Sequence, residues 1–496
     1  MALSVAEIKQ FIEDDLTSEK KLLAKVGQRY YEADHDILKC RLFYYNADGK
    51  LTEDKTRSNI KICHPFFTEL SDQLSAFLLS FKENPIRAWD NAEGLQDHLD
   101  LYFDDEFWAE IGELITGTYN KGFEYLYGYK GKENRMVFQC ADSLGVVEVR
   151  ESDTDDGCKY IIYWYVDRID KGRKKIKRIQ VWSETETRYY VQADNGEIKE
   201  DDSVVINPRP HVVFNDPNTG KKMGQPLGYI PFWRMDNCKK QFSGLKPIKN
   251  LIDDYDIMMC GLSNNLADFD TPLHVVKGFN GDNLDELQQN LKTKKIIGVD
   301  AEGGIDVQTV DIPYQARKVK ADEDEKNIYR FGFGFNSSQV GDGNITNVVI
   351  HSRYTLLELK ASKMEKRLRK LLKDIIKVVL AEINQENGTD FQLSDVYFNF
   401  TRDIMTNETE NIANAKVKAE TQQLQINTIL NLATTLDDET IVQQICEVLE
   451  LDFEEIKDKV PKQDEAALAL EGAKAALEGA VVDDPNSQAI IPEGVE

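Results

Sequence analysis

Residues 331–383 read FGFGFNSSQVGDGNITNVVIHSRYTLLELKASKMEKRLRKLLKDIIKVVLAEI. The first part, from Gly332 to Asn347, is rich in Gly, Asn and Ser, and its glycines allow backbone angles that other residues resist. From Leu357 to Val378, apolar residues recur at alternating steps of four and three, which is the spacing of one face of a helix. The stretch therefore predicts a loop that runs directly into a long helix.

The predicted helix is the longest in the chain. Neither Gly nor Pro occurs between Val348 and Asn387. A helix from His351 to Gln385 would measure about 52 Å at 1.5 Å per residue. Gly388 follows at a position where a helix C-terminus often requires glycine. We expect the other elements to be organised around this helix.

The exposed positions of this helix are basic. Nine Lys or Arg residues occur from Arg353 to Lys377 against three acidic residues, so nine minus three gives a formal charge of +6 in a chain whose net charge is −26. Two interpretations are open. The face is either solvated or paired with acidic surfaces of the same protein, or it is directed at a polyanion.

Three short runs around the loop resemble a known family. They are Asn327-Ile328-Tyr329-Arg330-Phe331, Gly341-Asp342-Gly343-Asn344-Ile345-Thr346-Asn347 and Ser352-Arg353-Tyr354-Thr355-Leu356-Leu357. They resemble the portal proteins of tailed double-stranded DNA phages, and most closely those of siphoviruses that infect Gram-positive bacteria. The resemblance extends over most of the chain, from Leu22 to Val460, and is most specific in the middle.

The resemblance implies an α+β multi-domain portal fold with long helices that assembles into a ring. In that family, twelve subunits at one capsid vertex form the channel through which double-stranded DNA is packaged and later ejected. The implied partners are further copies of the chain, as a homododecamer or as 13-mers in isolated rings, DNA in the channel, the terminase large subunit, a head-completion adaptor, and the major capsid and scaffolding proteins. The implied protein is a virion component assembled in the host cytoplasm, with no membrane contact, no cofactor and no enzymatic activity.

The family's domains map onto consecutive parts of the chain. A wing covers residues 1–242, with a helical N-terminal part and a β-rich region at 136–214. A first stem helix (243–269), a clip of small α/β type (270–324) and a second stem helix (325–335) follow. A tunnel loop (336–350), a long kinked helix with the wing base (351–387), a mostly helical crown (388–461) and an acidic, disordered tail (462–496) complete the prediction.

The tunnel loop is the predicted functional site, because twelve such loops line the channel in the family. Its DNA-facing residues are predicted to be Asn336, Ser337, Ser338, Gln339, Val340, Gly341, Asp342, Gly343, Asn344, Ile345, Thr346 and Asn347. The segment has no Lys or Arg, whereas a segment that grips phosphate would need cations. We therefore expect contact with DNA by shape and by weak hydrogen bonds. The alternative is a passive flexible connector.

Composition agrees with a soluble globular protein of about three domains. Of its 496 residues, 41% are hydrophobic and 30% charged, and no apolar run is long enough to span a membrane. The seven cysteines form no CxxC pair, which indicates free thiols in a reducing cytosol. The N-terminus, MALSVAEIKQFIEDDL, is predicted to form an amphipathic helix and not a signal peptide.

The acidity of the chain argues against a protein that coats DNA. Its sequence pI is about 4.8, whereas DNA-binding proteins normally carry a basic balance. In a twelve-membered ring the formal charge would be twelve times −26, or −312. An acidic lumen repels phosphate, so the charge favours passage of DNA over gripping.

The remaining patterns predict ordinary elements. Helices are predicted at Leu70–Phe81, at Leu95–Tyr119 and at Pro247–Phe269, with a helical region up to Val460. Strands are predicted at Tyr160–Val166, Ile179–Trp182, Arg188–Val191, Leu273–Val276, Ile296–Val299, Asp306–Val310 and Val396–Phe400. A short helix is predicted at Leu284–Leu291, and the basic run Lys171–Arg178 at an exposed hairpin tip.

Enzymatic motifs are missing from the sequence. No Gly-Lys pair is followed by Ser or Thr, so there is no P-loop, and neither GxSxG nor HExxH occurs. The acidic pairs Asp253-Asp254, Asp104-Asp105 and Asp437-Asp438 are potential metal ligands, but a chain with 87 Asp and Glu contains such pairs by chance. The alternative function is a metal-dependent nucleic-acid-processing enzyme, and a generic helical scaffold is a third possibility.

Overall fold

A computed structural model describes residues 3–55, 57–131, 135–151, 157–169, 174–193, 196–215, 222–269, 273–277, 304–308, 313–336, 347–402, 408–431 and 438–449. The α-helices within these ranges are α1 (Val5–Thr17), α2 (Glu19–Tyr31), α3 (Phe66–Leu78), α4 (Leu95–Tyr102), α5 (Asp105–Lys121), α6 (Lys249–Phe269), α7 (Tyr314–Gly332), α8 (Asn347–Asn387), α9 (Glu408–Asn431) and α10 (Asp438–Leu449). The mixture of helices and sheets confirms the α+β class.

The strands form antiparallel sheets. They are β1 (Phe43–Tyr45), β2 (Leu51–Glu53), β3 (Ile86–Ala88), β4 (Phe123–Lys130), β5 (Met136–Ala141), β6 (Val146–Val149), β7 (Tyr160–Ile169), β8 (Lys174–Trp182), β9 (Glu186–Ala193), β10 (Ile198–Glu200), β11 (Arg209–Pro210), β12 (Val212–Asn215), β13 (Lys222–Gln225), β14 (Phe232–Asp236), β15 (Leu273–Lys277), β16 (Gly304–Gln308) and β17 (Val396–Phe398). The largest sheet has the order β10-β9-β8-β7-β6 with β11 beside β9, and a second has the order β14-β4-β5. Two-stranded sheets pair β1 with β2, β3 with β17, β12 with β13 and β15 with β16.

The long helix predicted within residues 331–383 and beyond is confirmed as α8, Asn347–Asn387. Its predicted apolar stripe from Leu357 to Ile375 is buried, and Val378 is half-buried against the same core. The buried face is wider than predicted, since it also includes Leu372, Ile376, Val379, Leu380 and Ile383. The main core around this helix takes further buried side chains from α3, α4, α5, α6 and α7. Burial of each Leu or Ile side chain there stabilises the folded state by roughly 1.5–3 kcal/mol.

The single helix predicted from Leu95 to Tyr119 is wrong in one respect, because the structure divides it into α4 and α5. Asp104 is the N-cap of α5, with an extended backbone and a side chain that accepts a hydrogen bond from the N–H of Phe107 at 2.9 Å. A carboxylate at this position satisfies an amide that has no partner inside the helix. The apolar period continues across the break, so periodicity alone did not reveal it.

The β-rich part of the chain is where the sequence placed it. The strands predicted within 160–191 are confirmed as β7, β8 and β9, each longer than expected. The basic run 171–178 is not only a hairpin tip. Residues 174–178 belong to β8, where Lys174 pairs with Ile169 of β7.

Two further helices flank the segment 270–313. The predicted helix that ends at Phe269 is confirmed as α6, and α7 spans Tyr314–Gly332, so it begins eleven residues before the position 325 predicted for the second stem helix. Within the flanked segment, β15 and β16 confirm two of the predicted strands. The predictions at 284–291 and 296–299 lie outside the described residues.

The chain divides into two compact units, Met1–Asn344 with Val348–Met405, and Ile345–Asn347 with Thr406–Glu496. The first unit holds the sheets and the core described above. In the second unit, the side-chain amide of Gln422 in α9 donates to the carbonyl of Val448 in α10 at 3.0 Å. The predicted tail, 462–496, lies outside the described residues.

Candidate functional site

The predicted loop is described only at its two ends. Asn336 is half-buried, and its side-chain amide donates to Oε1 of Glu325 in α7 at 2.9 Å. Asn347 is the first residue of α8. Ser337 to Thr346 lie outside the described residues, so their contact with DNA stays a prediction. The geometry of the site is therefore that of the loop's base.

The chain leaves α7 through a tightly packed turn. Phe333 adopts a left-handed backbone conformation with φ of 60°, and the N–H of Gly334 donates to the carbonyl of Tyr329 at 2.9 Å. A Cβ at Gly334 would lie 2.0 Å from Cδ2 of Leu70 in α3. A side chain at this position would therefore displace the buried Leu70 side chain, which favours glycine here.

The side chain of Gln73 in α3 holds the backbone of Phe335 on both sides. Its amide nitrogen donates to the carbonyl of Phe335 at 2.8 Å, and its amide oxygen accepts from the N–H of the same residue at 2.9 Å. The Gln73 nitrogen also donates to Glu69 at 2.9 Å. One side chain thereby satisfies the donor and the acceptor of a residue outside regular secondary structure.

Aromatic stacking links this backbone segment to the start of α8. The rings of Phe335 and Tyr354 are parallel within 12° and their centroids are 4.7 Å apart. Tyr354 stacks in turn on Phe77 of α3, with centroids 5.8 Å apart. The two ends of the predicted loop are therefore joined through one aromatic column.

Lys360 of α8 fixes the C-terminus of α7. Its amine donates to the carbonyl of Gly332 at 2.7 Å and to the hydroxyl of Tyr119, and it lies 3.7 Å from the centroid of the Tyr119 ring. Burial lowers the pKa of Lys360 well below its ordinary value, and burial raises the pKa of the Tyr119 phenol. The amine satisfies a carbonyl that lacks a partner at the end of the helix. We name the contacts of Gln73, Tyr354 and Lys360 with residues 332–335 the loop clamp.

A cavity of about 500 Å³ opens beside the loop clamp. Its lining is mostly apolar and includes Tyr119, Phe242, Phe331, Phe333 and Met364, with Lys360 at its edge. Phe331 and Phe333 are 46% and 38% exposed. Apolar side chains at a loop base are thus left partly open to solvent.

The exposed face of α8 is as basic as the sequence predicts. Arg369 pairs with Glu365 at 2.6 Å and Lys377 pairs with Asp374 at 3.0 Å. Within the described part of the chain, no ion pair holds Lys363, Lys366, Lys370 or Lys373, and all four are exposed. Both interpretations of this face stay predictions.

An extended segment, Ser58–His64, lies along α6, and sequence analysis missed it. Every second backbone N–H of the segment donates to a side chain of α6, and these side chains are four residues apart. The pairs are Ser58 with Asp268 (3.0 Å), Ile60 with Asn264 (2.6 Å), Ile62 with the sulfur of Cys260 (3.1 Å) and His64 with Asp256 (2.9 Å). Four residues of helix rise about 6.0 Å and two residues of strand about 6.6 Å, so the two periods match. The signal in the sequence is the acceptor spacing Asp256, Cys260, Asn264 and Asp268.

Asp256 is buried at the inner end of this ladder. It accepts hydrogen bonds from Nδ1 of His35 at 2.6 Å and from Nδ1 of His64 at 2.8 Å. Burial alone would raise the pKa of Asp256, but the hydrogen bonds from His35 and His64 outweigh it and hold the pKa below its usual value. The carboxylate thus ties two segments of the N-terminal region to α6.

The acidic pairs considered as metal ligands, as far as the structure describes them, do not form a recognisable centre. Among the residues that the structure describes, no group of three or more His, Cys, Asp or Glu side chains has a metal-binding arrangement. Asp104 caps α5, and Asp253 accepts from Lys249 at 2.6 Å. Asp437 lies outside the described residues. All seven cysteines are free thiols, and no helix within the described ranges is long and apolar enough to cross a membrane.

Comparison with known proteins gives consistent results. Residues 9–462 match the sequence model of the family described as "Phage portal protein, SPP1 Gp6-like". The portal protein of Bacillus phage SPP1 is 25% identical over 417 residues, which cover 82% of this chain and 80% of the relative. The portal protein of Clostridium phage phiCD119 is 23% identical over 429 residues, which cover 82% and 88% respectively.

Proposed function

The chain belongs to the SPP1 Gp6-like family of phage portal proteins, and we propose that it forms the dodecameric ring through which double-stranded DNA enters and leaves the capsid. Portal proteins are components of the virion, and the family is structural and not enzymatic. The observation that carries the proposal is the family match over residues 9–462. Two curated relatives named portal protein, each matched over most of its length, support the same function.

The architecture supports the assignment of the parts. We assign the first stem helix to α6, the second to α7 and the clip to the segment between them, which contains the β15–β16 pair. The wing comprises the N-terminal helices and the antiparallel sheets, and the crown begins after α8. The tunnel loop comprises the residues between Asn336 and Asn347, whose two flanking segments meet in the loop clamp.

We assign DNA contact to the tunnel loop. The segment lacks cations, so its Asn, Ser and Gln side chains offer phosphate only weak hydrogen bonds that are easily exchanged. Such contacts suit a surface past which DNA slides. Disulfide crosslinking of neighbouring loops through Gly341→Cys and Gly343→Cys, with the exposed Cys40 replaced by Ser, should stop packaging and leave ring assembly intact. Full packaging with crosslinked loops would overturn this assignment.

We assign the clip, which was predicted at 270–324 and is bounded by α6 and α7 to 270–313, to docking of the terminase large subunit during packaging and of a head-completion adaptor afterwards. This assignment comes from the family likeness, since the described residues of the segment form only the two-stranded β15–β16 sheet. Deleting residues 282–295 should leave the ring intact and abolish adaptor capture in a pull-down. Undiminished capture would contradict the assignment.

Mass photometry of the purified chain tests the ring directly. Twelve copies of 56.7 kDa give about 680 kDa, and thirteen give about 737 kDa. Electron microscopy of the same sample should show a ring with a central channel. A chain that stays monomeric at micromolar concentration and cuts DNA with Mg²⁺ would instead support the metal-dependent enzyme.

A further inference from the structure

The exposed lysines of α8 form one straight stripe, and among the described residues only Lys377 of these is in an ion pair, with Asp374. Lys363, Lys366, Lys370, Lys373 and Lys377 are exposed and follow one another at steps of three and four, so they lie on one face of the helix. The stripe is about 21 Å long at 1.5 Å per residue. Two exposed apolar residues, Leu356 and Leu359, extend the same face toward the loop clamp and are 36% and 61% exposed. We name this face the lysine stripe.

An opposite charge is concentrated elsewhere in the same unit. The segment Asp90–Glu113 contains nine acidic residues and neither Lys nor Arg. Eight of the nine carboxylates are exposed, and none forms an ion pair with a described residue. The exposed apolar residues Trp89 and Leu101 border them, at 52% and 54% exposure. We name this segment the acidic lobe.

The acidic lobe packs on a different side of α8 from the lysine stripe. Tyr102, at the end of α4, donates to Glu382 of α8 at 2.9 Å. Glu382 lies about 140° around the helix from the centre of the stripe at 100° per residue. The buried residues of α4, Leu95, Leu99 and Tyr102, belong to the core that contains α8. The two charged surfaces therefore do not reach each other within one chain.

We propose that the lysine stripe of one copy docks on the acidic lobe of the neighbouring copy. The proposal rests on the proposed ring and identifies the surfaces that build it. A contact between two different surfaces of the same chain is heterologous, and such contacts close into rings when the rotation permits. Every copy then contributes one stripe and one lobe, so that each lysine stripe meets an acidic lobe.

A second copy fits the stripe better than DNA does. The stripe continues into Leu356 and Leu359, and the lobe carries Trp89 and Leu101, so both surfaces combine charge with apolar area. Apolar contacts strengthen a protein interface, whereas a phosphate backbone offers them no partner. Complementary charge also steers association and suppresses wrong pairings.

Charge reversal on each surface tests the proposal. One variant carries Lys366→Glu, Lys370→Glu and Lys373→Glu, and a second carries Asp90→Lys, Glu93→Lys and Asp97→Lys. Each variant alone brings like charges together at every contact, which should weaken ring assembly at least about 100-fold in mass photometry. Circular dichroism should show both variants folded.

The decisive sample is the equimolar mixture. In an alternating ring, each reversed stripe faces a reversed lobe and each native stripe faces a native lobe, so all contacts are again complementary. Native mass spectrometry of differently tagged variants should show mixed rings with an even number of copies, half of each variant, because an odd ring cannot alternate. A mixture that stays unassembled, or a stripe variant that forms rings like the wild type, would overturn the proposal.

A matched control distinguishes the effect of changing the lysine stripe from the effect of changing the net charge. Lys50→Glu, Lys199→Glu and Lys239→Glu make the same change in charge at exposed positions outside the stripe, and this variant should assemble normally. If the stripe variant forms normal rings but retains less DNA, the stripe serves DNA, and the inference fails while the portal function stands. If the wild type forms no ring, the proposed function itself fails.

Discussion

The loop clamp predicts a local loss of protection when Gln73 is replaced by Met. Methionine has a similar length and a similar helix propensity to glutamine, so α3 should keep its stability. The substitution removes the hydrogen bonds at 2.8 and 2.9 Å between the side-chain amide and the backbone of Phe335. Each such hydrogen bond contributes about 1 kcal/mol net, so the free energy of locally opening the loop clamp should fall by about 2 kcal/mol.

This loss should appear as local opening and not as global unfolding. Phe335 is only half-buried, so its freed N–H and carbonyl reach water once the segment moves. Hydrogen exchange of the peptide that contains residues 329–336 should become about 30-fold faster, since 1.4 kcal/mol corresponds to a factor of ten. The core peptides of α8 should keep their exchange rates.

The matched control is Gln28→Met in α2. Gln28 donates to Glu32, the C-cap residue of α2, at 2.8 Å, so the control removes a glutamine hydrogen bond that involves no residue of the loop clamp. Its exchange at 329–336 should equal that of the wild type. Exchange of Gln73→Met within a factor of two of the wild type would refute the clamp.

Three further predictions concern the loop clamp and the ladder along α6. Gly334→Ala should destabilise the chain by about 1–3 kcal/mol because its Cβ overlaps Leu70, whereas Gly157→Ala, which meets open space, should be neutral in thermal denaturation. Asp256→Asn should lower the free energy of unfolding at pH 7 by about 1–3 kcal/mol. The pKa of Asp256 is depressed in the folded protein, so its stabilising contribution is complete above the unfolded pKa of about 3.9 and is lost as the pH falls through the folded pKa. Urea unfolding of the variant and the wild type should therefore converge in acid. The pKa of Lys360 is lowered in the folded protein, so the unfolded chain binds the Lys360 proton more strongly. The stability of the wild type should therefore rise with pH, up to the unfolded pKa of about 10.4. Urea denaturation at pH 7, 8 and 9 should show that Lys360→Met removes this rise.

The long elements of the fold were predictable from the sequence because their periodicity repeats over many residues. The stripe from Leu357 to Ile375 predicted both the existence of α8 and the face that it buries. Strands β7, β8 and β9 followed from runs of β-branched and aromatic residues. The break at Asp104 was missed because one cap interrupts the chain without changing the apolar period.

The loop clamp was less predictable from the sequence, since its contacts join residues that are far apart in the chain. Gln73 is one of many glutamines on helices, and nothing local shows that it reaches a backbone segment 262 positions away. The ladder along α6 was equally hidden, because Ser58–His64 pairs with no described strand and its backbone N–H groups donate to helix side chains. The acceptors four residues apart in α6 were the one available signal, and its meaning depends on a second segment.

The contacts at the loop base resist displacement of the predicted loop. The backbone at 332–335 is held by side chains from α3 and α8, and the ring of Phe335 stacks on Tyr354, which already belongs to α8. Opening these contacts costs about 2 kcal/mol at Gln73 alone, whereas a segment without cations gains little from any one position on a phosphate backbone. A displacement at the loop is therefore resisted at the clamp before it reaches the core residues of α8. If the proposed function holds, the loop clamp keeps α7 and α8 in position while the predicted loop changes its contacts with DNA.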